Sequence, residues 1–232
     1  MGLSVDDVLG QIAAWHGERP LYKERMWAAL ISGELSLDQL REFARQFGII
    51  PMHNHNYHGR LYVICPDPVW RSKIAEVCYE EGTGRLYAYG VPHWKLFMNF
   101  GKGLGLSEDE LWNPEYIPAA RAFKPYYSAL CESTFLEGVS AHMLGGEAMA
   151  PGTFSKIAEG FRKNHGLNDE QLAFWIVHDT ADAEHSDVGR DLLEEFAPTE
   201  ADRKLVLLTV RRHMGVAFHL YDQIYEAVQT IN

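Results

Sequence analysis

The segment His178-Asp-Thr-Ala-Asp182-Ala-Glu-His185 carries three metal-ligating side chains at i, i+4 and i+7. On an α-helix that spacing stacks them on one face, about one turn apart. Two imidazoles and a carboxylate converging this way form the donor set of a non-haem iron or manganese site. A plainer arrangement satisfies the same pattern: a core His178 beside a solvated Asp182–His185 pair. The choice between them turns on whether other helices send carboxylates and imidazoles to the same point.

Three further residues are candidates to meet that requirement. The helix opened by Asp67-Pro68 has an inner face of Trp70, Ile74, Val77 and Cys78, which Glu81 continues, while Glu80 falls with Lys73 and Glu76 on the polar side. A carboxylate that prolongs an apolar stripe is costly to bury unless a cation or a frayed helix end relieves it. His93 opens the next helix one turn before Phe97, either as a packed first-turn residue or as a ligand. Glu147 lies near the C-terminal end of a long helix, where an acid opposes the macrodipole and needs a compensating partner. Gly145 and Gly146 beside it allow another helix to come close, or simply loosen the turn. Glu81, His93, Glu147, His178, Asp182 and His185 together offer three carboxylates and three imidazoles, a composition that favours two divalent first-row metals over one.

This order of residues resembles the haem-oxygenase-like dimetal oxidases, the group of the death-domain-associating proteins with TenA and PqqC as relatives. Their pattern of a Glu, a His, a second Glu and then His-x3-Asp-x2-His is matched by Glu81, His93, Glu147, His178, Asp182 and His185. Ile50-Pro-Met52, Cys65-Pro-Asp67 and Arg71 are similar to the corresponding PqqC region, and Pro151 with Ile157-Ala-Glu-Gly160 to the segment after the second Glu. The resemblance implies an all-α, haem-oxygenase-like bundle that is a homodimer. It implies two Fe(II) ions, with Mn an alternative, and O2 as cosubstrate for oxidation of a small, amino-acid-derived or other organic molecule. Here Gly82 through Pro92 separate the first Glu from its His, a longer stretch than the pattern has, and this leaves Glu80 open as a substitute for Glu81. A metal-free PqqC-like oxidase and a TenA-like hydrolase using Cys131 are the alternatives on the same fold. A metal-storage or interaction protein is the non-enzymatic one.

Other candidates read more plainly. His53, His55 and His58 could line a pocket or bind a carboxylate, but a solvated polar face accounts for them better. Tyr22 and Tyr57 are candidate redox side chains with nothing in their surroundings to single them out. Arg211, Arg212 and His213 read as surface charge rather than as a grip on a substrate carboxylate.

The elements that must position these residues are helical throughout. Ser36 with Gln39, Ser107 with Glu110 and Asn168 with Gln171 are capping pairs, and Asp67-Pro68 supplies a cap and a first-turn proline. Apolar residues recur at helical spacing in Leu37, Leu40, Ala44 and Phe47, and in Leu205, Leu208, Val216 and Leu220. The pattern predicts helices over 4–16, 20–32, 37–64, 68–82, 91–105, 108–112, 118–149, 153–165, 169–195 and 200–230, joined by short connections in one domain over residues 1–232. A net charge of −11 with no basic cluster argues against nucleic acid or an anionic membrane as partner. No apolar run reaches the roughly 18 residues a membrane span needs. Three widely spaced cysteines without a CxxC pair indicate reduced thiols and a cytoplasmic protein.

Overall fold

The computed structural model describes residues 2–149, 152–181 and 185–231, the side chains at 179–181 and 185–188 excepted, and every regular element among them is a helix. In chain order these are α1 (Val5–Glu18), a 3₁₀ turn at Leu21–Lys23, α2 (Arg25–Ser32), α3 (Leu37–Phe47), α4 (Asn54–Ile64), α5 (Pro68–Thr83), α6 (His93–Gly103), α7 (Glu108–Trp112), α8 (Pro118–Glu132) and α9 (Phe135–Val139). A π-helical turn (Ser140–Gly146) and a 3₁₀ turn (Glu147–Met149) follow, then α10 (Phe154–His165), α11 (Asp169–Ala181), α12 (His185–Phe196) and α13 (Glu200–Gln229).

The predicted caps start the helices assigned to them. Ser36 and Ser107 close reciprocal capping boxes with Gln39 and Glu110, and Asn168 and Gln171 exchange bonds of 2.9 and 3.0 Å. The Asp67 carboxylate accepts from Trp70 N–H at 2.8 Å, with Pro68 in the first turn. Each cap satisfies amides that the helix itself leaves without partners.

Two long predicted helices are divided. The expected 37–64 helix stops at Phe47 and restarts at Asn54. Pro51 has no N–H to give and pushes Ile50 off helical geometry, so the chain turns there. The expected 118–149 helix breaks at Ser133, and Thr134 recaps the chain by accepting from Glu137 N–H at 3.2 Å. Glu147 is consequently the first residue of a short 3₁₀ turn, not the last turn of a long α-helix. The expected 169–195 helix contains Asp182, which lies outside the described residues, between α11 and α12.

The core is aromatic. Trp27 of α2 and Trp175 of α11 are each at most 1% exposed and stand 6.4 Å apart, edge to face. Phe43 and Phe47 of α3, Phe154 of α10 and Tyr221 of α13 close around Trp27. Phe100 and Phe161 close around Trp175. Edge-to-face pairs of this kind add about 0.5–1.5 kcal/mol each beyond area burial, so they lock α11 against α6 and α10. His178 is one turn beyond Trp175 and inherits that rigidity.

On α13 the buried stripe is Val206, Val210, Met214, Ala217, Tyr221 and Ile224. Of the predicted positions Leu220 is buried, whereas Leu208 is 44% exposed and Leu205 and Val216 are half-buried. The polar Thr209 and His213 are buried with this stripe, His213 because its ring lies against Gly145 of the π turn rather than in bulk water. No described helix is long and apolar enough to cross a membrane.

Candidate metal centre

Glu81, His93 and His178 bring one ligating atom each to within 4.8 Å of the others. Their elements meet because α5, α6 and α11 pack side by side, with α6 between the other two. His93 Nδ1 stands 3.1 Å from Glu81 Oε1, and Asn54 Nδ2 donates to the same oxygen at 3.1 Å. The His178 Nδ1–H donates to the Phe174 carbonyl at 2.7 Å, which leaves its lone pair on Nε2. The His93 and His178 rings lie 4.8 Å apart, edge to face, and the Phe174 ring lies 4.4 Å from His178.

Glu80 is not on a polar face, as the α5 pattern had predicted. It is 5% exposed, while Val77, assigned to the inner face, is 36% exposed. The reason lies in the longer connection after α5. Gly84, with φ +64°, turns the chain back over the helix end, and Glu80 accepts from Leu86 N–H at 2.6 Å and Tyr87 N–H at 3.1 Å. Glu80 Oε1 also stands 3.1 Å from His93 Nε2. Glu81 therefore faces the group while Glu80 holds the far side of the His93 ring, the place of an orienting carboxylate behind a ligand imidazole.

Glu147 meets a second group that the sequence pattern did not supply. His142 Nε2 lies 2.9 Å and His58 Nε2 3.5 Å from Glu147 Oε1. The two imidazoles are perpendicular, with centroids 4.1 Å apart, and their Nε2 atoms are in direct contact. Tyr127 Oη closes on His142 Nδ1. The small residues before Glu147 admit α13: a Cβ on Gly145 would stand 3.3 Å from the His213 ring and 3.5 Å from Val210 O.

Electrostatics join the groups. Burial pushes Glu81 up, but the His93 hydrogen bond and the charges of His93, His58 and His178 outweigh it and hold it at about 2. Glu147 is likewise held well below the usual carboxylate range by His142 and His58, against its burial. His58 and His93 lie above 6.5, because their carboxylates outweigh burial. His142 and His178 are pushed down, first by burial and then by His58 and His93 respectively. Each group thus sets a carboxylate held low beside one imidazole raised by its carboxylate and one pushed down by burial. Glu81 feels His58, and His178 feels Glu147, so the groups are near neighbours.

Of the six candidate residues, Glu81, His93 and His178 come together, and Glu147 stands in the adjoining group. Asp182 lies outside the described residues, and His185 opens α12 with its side chain likewise undescribed. His58, assigned to a solvated face, is 2% exposed and paired with Glu147, because the break before α4 rotates this helix inward. His142 carried no signal in the pattern, since its place depends on the π turn. His53 and His55 remain half-buried, and Lys124 Nζ stands 3.3 Å from His53 Nε2. Arg211 and Arg212 are exposed as expected, whereas His213 is 2% exposed. Tyr22 lies under the Lys156 ammonium at 4.4 Å, and Tyr57 is buried 4.4 Å from the Tyr127 ring.

The chain is similar to proteins of known description. It is 24% identical to a 4-aminobenzoate synthase of Nitrosomonas europaea over 219 residues, which cover 90% of this chain and 87% of that protein. It is 24% identical to a 4-aminobenzoate synthase of Chlamydia pneumoniae over 79% of this chain and 80% of that protein. Among solved structures, a CADD-like protein from Nostoc punctiforme superposes with a TM-score of 0.79 at 14% identity, covering 98% of this chain and 99% of that one. A TenA homologue from Pseudomonas syringae gives 0.77 at 9%, over 97% and 94%. A domain with a haem-oxygenase-like fold from Shewanella denitrificans gives 0.76 at 13%, over 97% and 94%. The fold is therefore the haem-oxygenase-like one. The model of a family described as iron-containing redox enzymes matches residues 41–217, a span that contains every residue of both groups, and the chain belongs to that family of oxidoreductases.

Proposed function

We propose that this enzyme is an O2-dependent oxidase that holds two Fe(II) ions, Mn being the alternative metal. In this reading Glu81, His93 and His178 hold one ion, and Glu147, with Asp182 and His185, holds the other. The observation that supports it is the adjacency of two inward Glu/His groups, each within electrostatic reach of the other. The donor set suits the metal: carboxylates and imidazoles bind first-row divalent ions, and His178 is tied through Nδ1 so that Nε2 is free to ligate. So many ionisable groups inside an aromatic core cost several kcal/mol unless cations compensate them.

Bound ferrous ions would supply the electrons that reduce O2. The chain's own residues orient and shield. Glu80 fixes the His93 ring, Phe174 and Phe154 flank the half-buried His178 ring, and the low positions of Glu81 and Glu147 keep both carboxylates ionised at neutral pH. The substrate class is a small organic molecule, amino-acid-derived or aromatic, and the similarity to 4-aminobenzoate synthases makes 4-aminobenzoate the first product to assay. The working unit is a cytoplasmic homodimer of one-domain chains, which light scattering tests.

A hydrolase using Cys131 is disfavoured by its thiol, which burial pushes up to about 12, far from the thiolate a nucleophile needs. Protein loaded anaerobically with Fe(II) is expected to hold about two irons per chain and to take up O2 with substrate present. Glu81→Gln is expected to lower that uptake by more than about 100-fold, since even outer-shell changes cost 10–100-fold. Full activity in chelator-stripped protein would overturn the proposal.

A further inference from the structure

We propose that His58 and His142 are themselves cation ligands, so that the Glu147 side of the centre is a nitrogen-rich site absent from the motif that the chain shares with the dimetal oxidases. The inference deepens the two-iron reading and rests on it only for the neighbouring Glu81 group.

Three independent features converge on it. First, both imidazoles are 2% exposed and come from separate elements, α4 and the π turn, yet their Nε2 atoms are in contact and both face Glu147 Oε1. Two nitrogen lone pairs repel at that range unless a proton or a cation lies between them. Donors about 2.0–2.2 Å from one tetrahedral ion stand roughly 3.4 Å from each other. The two Nε2 atoms stand 2.9 and 3.5 Å from Glu147 Oε1 and 2.5 Å from each other, so a bound ion has to part the two rings toward the roughly 3.4 Å of a tetrahedral pair.

Second, the backbone is shaped for this pairing. In an α-helix, residues five apart point about 140° away from each other, so His142 and Glu147 could not share a face. The π turn widens the helix so that Glu147 N–H donates to His142 O, five residues back, and the two side chains line up. The widened turn also frees the Leu144 carbonyl, which accepts from His16 Nε2 at 2.9 Å. Such turns are rare and gather at functional sites.

Third, His142 is held as a ligand histidine is held. With His142 Nδ1–H donating to the hydroxyl oxygen of the buried Tyr127, the ring's lone pair falls on Nε2, on the Glu147 side. A partner on the far ring nitrogen is the usual means of fixing the tautomer of a metal-bound imidazole. The cation class is a borderline divalent first-row ion, which accepts two imidazoles and a carboxylate.

The test is anaerobic titration of the full chain with Co(II), read by its visible absorption and by metal counting, in wild type, His58→Gln, His142→Gln, Asp182→Asn and Glu81→Gln. Two Co(II) per chain are expected in wild type. His58→Gln and His142→Gln are each expected to weaken one of them by at least tenfold and leave the other intact, while Glu81→Gln weakens that other. If Asp182→Asn removes one ion and the two histidine variants change neither constant, the ligand assignment falls and the two-metal reading stands. A single wild-type Co(II), lost in His142→Gln and kept in Glu81→Gln, would uphold the assignment and remove the two-metal reading. Because a buried histidine also matters for folding, wild-type protein labelled with 15N-histidine gives a readout without substitution. Zn(II) is expected to move the Nε2 signals of His58 and His142 to metal-bound positions. Unmoved signals would mean a proton-sharing ion cluster only, and would overturn the proposal.

Discussion

His213 lies behind the π turn, its ring 4.8 Å from Tyr127 and stacked 6.1 Å from Tyr126. Burial, and then the charge of His142, push it down to about 3. The unfolded chain takes up a proton at this residue below about 6.5, while the folded one does so only near 3, so stability falls as the pH drops through that window. Between pH 7 and 5 this group alone is expected to remove about 2 kcal/mol. Urea midpoints at the two pH values measure it, and His213→Phe is expected to flatten the difference by that amount. Tyr127→Phe isolates another single-residue effect. It removes the hydroxyl on His142 Nδ1 while keeping the ring packed against Tyr57. Metal affinity on the Glu147 side is expected to drop about 10–100-fold, as measured by competition with a chromogenic chelator, and the unpaired His142 Nδ1 is expected to cost the metal-free fold about 1–3 kcal/mol.

At the level of elements, the end of α5 and the connection that follows act together. One carboxylate, Glu80, holds Leu86 N–H, Tyr87 N–H and the far nitrogen of His93. The turn that makes this possible needs Gly84, because a Cβ there would sit 2.0 Å from Val91 O at a φ of +64°. Glu80→Gln loses charge-assisted bonds worth about 1.5–3 kcal/mol each to backbone and imidazole. Amide exchange at residues 86 and 87 is expected to quicken by tenfold or more, and metal affinity at the Glu81 group to fall about 10–100-fold. Unchanged exchange would mean that the connection is held by something other than Glu80.

For the whole molecule, metal binding and folding are linked. Ions that bind the folded chain alone stabilise it by about 2.7 kcal/mol per site at a hundredfold excess over Kd. A chain of this length shifts its melting temperature by roughly 2–4 °C per kcal/mol, so two sites are expected to raise it by about 10–20 °C. Differential scanning calorimetry with and without Co(II) under argon tests this, and a shift that saturates at one equivalent would indicate a single ion. A net charge of −11 also implies that part of the shift comes from relief of self-repulsion, which added salt should diminish.

The helical class, the capped helix starts and the Glu81–His93–His178 group could all be read from the chain, because caps and ligand spacings act within a few residues or repeat at the helical period. The haem-oxygenase-like resemblance likewise rested on residues in linear order. The places of Glu80, His58, His142 and His213 could not be read, because each is decided by a departure from regular helix: the fold-back at Gly84, the turn at Pro51 and the π turn after α9. A period-based reading rotates every residue by the same 100° per step, so one inserted turn moves all later residues to another face. Which imidazoles surround Glu147 is therefore a property of the packed molecule, where α4, α8 and α13 close around a local widening of the helix.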